Sequence, residues 1–118
     1  MKRGEDVAEN KNLNIIYRDS TPFISFPCDF DVSILSSGVE DIEIVFSQDG
    51  AEKFTKRGDQ VEVCIELNSI ITSLSRNDTS KLKSRLETTM QIFIHMEDGA
   101  VIPSNIMVAN TGYILERR

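Results

Sequence analysis

The sequence predicts an all-β domain built as a two-layer antiparallel sandwich, and three observations predict it. Apolar residues recur at every second position in successive runs, which puts one side of each run in a core and the other in water. Turn signals separate the runs at intervals of roughly eight to twelve residues, the spacing of a sandwich or a small barrel. Prolines within two of the runs, and an irregular stretch over 27–38, suit open edges better than closure into a barrel.

The elements follow in order. The charged stretch 1–12 has Val7 and Ala8 as its apolar residues after the methionine, and it reads as a flexible arm. The ordered domain begins at Leu13, with 14–17 as a first short strand. Arg18-Asp19-Ser20 turns into a second strand over 21–26. Phe23 and Ile24 are adjacent there, so only one of them faces the core, and Phe26 shares the phase of Ile24. Pro22 and Pro27 place this strand at a sheet edge or beside a bulge, because proline donates nothing to the ladder. Asp31 is positioned to cap a single helical turn over the next residues, or the segment is an irregular corner carrying Val32 and Leu35 inward.

Alternation returns through Ile42, Ile44 and Phe46, and Asp49-Gly50 marks a tight hairpin. The strand over 52–56 returns with Phe54 inward, and Arg57-Gly58-Asp59 turns the chain again. The clearest run follows: Val61, Val63, Ile65 and Leu67 point inward, with Cys64 on the opposite phase. Ile70, Ile71 and Leu74 have the spacing of one or two helical turns capped by Asn68 or Ser69, a lid over one end of the core. The segment 75–84 is polar and reads as a surface loop. The longest strand covers 86–97, with Met90, Ile92 and Ile94 in phase. Asp98-Gly99 turns it back into 101–109, where Pro103 marks a bulge or an edge, and Gly112 precedes a final strand over 113–115.

At 118 residues the chain makes one domain, taken as 13–118. Apolar residues are 40% and charged residues 27%, an ordinary globular mix. A net charge of −6 and a pI near 4.7 argue against a nucleic-acid groove, whose affinity comes from neutralising phosphates. The bases, Lys53, Lys56 and Arg57 near one turn and Lys81, Lys83 and Arg85 near another, read as scattered and solvated. No apolar stretch approaches the roughly 20 residues of a membrane span. No apolar core of a signal peptide is visible at the N-terminus, so the chain reads as intracellular when made. Cys28 and Cys64 read as two free thiols, with a bridge left open if their strands are neighbours. The Asn77-Asp78-Thr79 triplet then has no glycosylation role.

No constellation for catalysis emerges, so no enzyme and no cofactor are expected. The sole histidine, His95, sits on the outward phase of its strand beside Glu97, too few ligands for a metal. Glu40, Asp41 and Glu43, and Asp29 with Asp31, are carboxylates at strand entries, where solvated caps are the plain reading. Arg57-Gly58-Asp59 matches an adhesion triplet but fits a hairpin turn. Phe93 lies outward on the longest strand with Gln91 and His95 as neighbours and Val45 outward nearby. An aromatic in the middle of a sheet face marks a second layer or an interface. The expected contact residues are therefore Phe93, His95, Pro22 and Pro103. A module binding carbohydrate or calcium through loops at one end of the sandwich is the alternative.

One set of segments runs Ile16-Tyr17-Arg18, Thr21-Pro22, Phe30-Asp31-Val32-Ser33 and Ile44-Val45-Phe46-Ser47-Gln48-Asp49-Gly50. It continues through Val61-Glu62-Val63, Met90-Gln91-Ile92, Asp98-Gly99-Ala100 and Ser104-Asn105-Ile106. In this layout the chain resembles small proteins encoded by phages and prophages of Firmicutes. It is also similar to the immunoglobulin-like N-terminal module of phage baseplate upper proteins. The family usually has a Leu-Thr-x-Glu-Glu-like turn where this chain has Leu67-Asn68-Ser69-Ile70-Ile71-Thr72. The resemblance implies an immunoglobulin-like sandwich of about seven or eight strands with one short helical turn. It also implies a virion or prophage component that binds other phage structural proteins or itself, without nucleic acid or membrane. Such a protein is made in the host cytoplasm and then carried in the virion.

Overall fold

The computed structural model describes residues 15–112. The expected arm over 1–12, the start at Leu13 and the final strand over 113–115 lie outside the described residues. Among the described residues nine strands form two sheets: β1 (Ile15–Tyr17), β2 (Phe23–Pro27), β3 (Val39–Gln48), β4 (Ala51–Arg57), β5 (Val61–Cys64), β6 (Ser69–Ser73), β7 (Glu87–Met96), β8 (Val101–Pro103) and β9 (Met107–Gly112). The larger sheet has the order β1-β9-β7-β3-β4, with β8 also on β7, and the smaller has the order β2-β6-β5. The chain is an all-β sandwich, its β2-β6-β5 and β9-β7-β3-β4 orders matching an immunoglobulin-like arrangement, with β1 on β9 rather than on β2.

β8 and β9 occupy successive stretches of one edge of β7: Val101–Pro103 pair with Phe93–His95, and Met107–Asn110 with Glu87–Met90. Between them Ser104 keeps the ladder closed, its N–H donating to Ile92 O and its Oγ accepting from Ile92 N. Pro103 thus sits where the strand breaks, as its missing donor demands. One pairing departs from the antiparallel expectation, since β1 runs parallel to β9 with Tyr17 opposite Gly112.

The core lies where period-two faces meet. From β7 it receives Thr88, Met90, Ile92 and Ile94; from β3, Ile44, Phe46 and Gln48; from β2 and β6, Phe26 and Ile70. Phe46 and Phe54 stack across the β3–β4 hairpin with ring centroids 4.6 Å apart. The hairpin turn has both Asp49 (φ 53) and Gly50 (φ 77) in the left-handed region, the type I′ geometry that matches strand twist. The single turn of 3-10 helix over Val32–Ser36 is capped as expected, Asp31 Oδ1 accepting from Ser33 N at 3.0 Å. It carries Val32 to full burial.

Three expectations are corrected. The run over 61–67 is shorter than its alternation suggested: β5 stops at Cys64, and Ile65 and Leu67 stand 61% and 65% exposed in the following turn. That turn closes through Asn68 N to Ile65 O at 3.1 Å. The segment 68–74 is no helical lid but β6, the central strand of the smaller sheet. Ile70, Thr72 and Leu74 face inward, Ile71 faces outward, and the Thr72 hydroxyl reaches Gln60 O at 2.8 Å.

The third correction concerns the polar stretch 75–84, which is built rather than loose. Ser75 and Asp78 form a reciprocal capping box that starts α1 (Arg76–Ser80). Polar anchors hold this stretch to the sandwich, among them Arg18 Nη2 donating to Ser80 O at 3.2 Å. The Lys56 ammonium pairs with Asp78, both nearly buried. Thr79 Oγ1 donates to Ser20 O at 2.8 Å. Gln48 donates to Lys83 O at 3.0 Å and accepts from Lys83 N at 2.8 Å. Leu74 and Leu82 fill the space beneath.

Candidate functional site

The outward face of the larger sheet collects three of the four expected contact residues. Register sets Phe93 opposite Glu43 on one side and Pro103 on the other, and His95 opposite Asp41 and Val101. Phe93 and His95 are half-buried, and Pro103 is exposed. Because β-strand side chains alternate, Val45, Glu43, Phe93, His95 and Val101 share this face. Pro22 does not join them. It precedes β2 in the other sheet and takes Leu74 N–H on its carbonyl at 2.9 Å.

Glu43 organises the charges of this face. It accepts from His95 Nε2 at 2.9 Å and pairs with the Arg57 guanidinium. Asp41 accepts from Gly58 N at 2.9 Å. The Arg57-Gly58-Asp59 triplet is therefore a strand end running into a 3-10 turn, with its arginine tied to the sheet. The carboxylates at strand entries act as caps and partners: Asp31 takes both the N–H and the hydroxyl of Ser33. Those two hydrogen bonds hold the Asp31 carboxyl below its ordinary value. Among the described residues no group of three or more His, Cys, Asp and Glu is placed to hold a metal ion.

Grooves without a signal in the sequence run along the open seam between β2 and the β8–β9 edge. One has a volume of about 290 Å³, with Ile15, Ile24 and Met90 in its wall. Its neighbour has about 470 Å³, with Cys28, Ile94 and Ile102 in its wall, and Phe26, Pro27 and Met107 border both. Burial pushes the Cys28 thiol up, and the Asp29 charge adds to this against a backbone hydrogen bond from Ile70. Cys28, just past the end of β2, and Cys64, the last residue of β5, are both free.

Phe30, Ile34, Ile65 and Leu67, at 37%, 63%, 61% and 65% exposure, cluster on two neighbouring loops. Asn68 ties those loops together, its Nδ2 donating to Cys28 O and Phe30 O and its Oδ1 accepting from Val32 N. The Asn68-Ser69 pair, a turn signal directly after Leu67, was the clue that the strand ends before Ile65. No family model, curated protein or solved structure matches the chain.

Proposed function

We propose that this chain is a phage- or prophage-encoded structural protein of tail or baseplate type, acting through protein–protein contacts. The observation that carries the reading is where the exposed large apolar side chains lie. Ile34, Ile65, Leu67 and Val101 stand on strand edges and end loops, while Phe23 (80%) and Ile102 border two different grooves, so the set is spread over the surface rather than gathered in one cleft. Apolar groups in such positions are contact surface. The immunoglobulin-like strand order and the likeness to phage-encoded modules support the same reading. In this role the protein is made in the host cytoplasm and enters the virion with its neighbours.

Prophage induction followed by particle purification tests the proposal. The protein should sediment with intact particles and be found in them by mass spectrometry and immunogold labelling. Abundant protein in the lysate with none in purified particles would overturn it.

A further inference from the structure

The two ends of the sandwich differ in kind. One end consists of the 28–38 connection, the 65–68 turn and the 97–100 turn. It is joined by the Asn68 bonds and by Glu97 N–H to Gly38 O at 3.0 Å. This end exposes the apolar cluster of Phe30, Ile34, Ile65 and Leu67. The charged residues on the three loops are Asp29, Asp31, Glu66, Glu97 and Asp98, with no lysine or arginine among them. The opposite end consists of the 18–22 turn, the Asp49-Gly50 turn and the 74–86 stretch, joined through Ser20 to Thr79 and Gln48 to Lys83. It presents Arg76, Lys81, Lys83 and Arg85, all exposed, with Phe23 beside them at the start of β2. Arg18 adds a fifth base on these segments, against the acids Asp19, Asp49 and Asp78, and Asp78 is already neutralised by Lys56, so bases stay in excess at this end.

Charge decides what covers the apolar end. A symmetric pairing of two such ends would set acid against acid, and an anionic bilayer would repel the same carboxylates. The basic end of another copy offers opposite charge around an apolar contact. We infer that the apolar, acidic end of one molecule docks head-to-tail onto the basic end of the next. The apolar cluster supplies the buried centre, and the charged rim steers the encounter and fixes its register. Such a contact is heterologous and builds rings or filaments rather than closed two-fold dimers. The inference rests on the assembly reading above and names the partner as a second copy of this chain.

Two charge-reversed variants test it by sedimentation velocity. One carries Asp29→Lys, Glu66→Lys and Glu97→Lys; the other carries Arg76→Glu, Lys81→Glu and Lys83→Glu. Wild type should associate with rising concentration at about 50 mM salt and less at about 500 mM, where rim charges are screened. Each variant alone, bearing like charge at both ends, should lose roughly tenfold or more in association constant. An equimolar mixture of the two should associate again, a recovery that misfolding of either variant would not permit. Ile65→Ser with Leu67→Ser should weaken wild-type association at both salt concentrations. A wild type that stays monomeric, association that survives either reversal, or a mixture of folded variants that stays monomeric overturns the inference. Dilution of wild type onto anionic vesicles with binding there instead would overturn it too. A monomer found in purified particles sinks this contact alone, whereas head-to-tail association by a protein absent from particles sinks the virion reading alone.

Discussion

Asn68 shows how much one side chain sets at the residue scale. It sits at φ 49, and its amide holds Cys28, Phe30 and Val32, so it shapes two loops at once. Asn68→Ala removes these hydrogen bonds and puts a less tolerant residue in a left-handed conformation. A loss of about 3 kcal/mol is expected in urea unfolding, with Asn68→Gly recovering only the backbone part. Asp78 is the second such residue. Burial pushes its carboxyl up, but the hydrogen bonds from Lys56 and Ser75 and the Lys56 charge outweigh this, so its pKa lies below the ordinary value. A lowered carboxylate stabilises the fold above its unfolded pKa of about 3.9 and loses that contribution as pH falls through the lower folded value. Asp78→Asn leaves Lys56 nearly buried without a counter-charge and should cost about 3 kcal/mol at pH 7. The variant's urea midpoint should fall less than that of wild type between pH 5 and pH 2, within the carboxylate range. The Asp31 cap was readable because its acceptor and donor are two residues apart. The Lys56–Asp78 pair was not, because the partners are far apart in sequence and each looks like a solvated turn residue.

Elements were legible where one signal dominated. Asp49-Gly50 between two alternating runs allows little besides a type I′ hairpin, and that is what forms. Gly50→Ala should cost about 1 kcal/mol by thermal melting. The position is at φ 77 with open space around it, so backbone conformation rather than crowding sets the cost. In β6 the spacing of Ile70, Ile71 and Leu74 fits a helix, while the strand phase runs through a buried threonine that looks polar in sequence. Once the Thr72 hydroxyl has Gln60 O as acceptor, burial is tolerated and the strand wins. α1 hid inside a polar stretch, although Ser75 and Asp78 carry the spacing of a capping box. Its anchoring to β3, β4 and the 18–22 turn is long-range and left no local trace.

Over the whole molecule, alternation revealed the sandwich and the facing of Phe93 and His95, and Pro103 marked a bulge or an edge. It could not show which loops share an end, because loop placement follows from strand order. The scattered bases therefore gave no hint of polarity along the molecule. Phe46→Ala, at the centre of the stacked core, should cost about 4 kcal/mol, while Phe23→Ser should leave the melting temperature within a degree or two of wild type. The outer edge of β2 has a consequence of its own. Pro22 O accepts from Leu74 N and Cys28 N donates to Asn68 O, at either end of β6, so the alternating Phe23, Ser25 and Pro27 turn their backbone groups away from it. Only two amide donors are left on that margin, because proline stands at the third position. This margin of β2 is thus too short to template another strand in an amyloid-like ribbon.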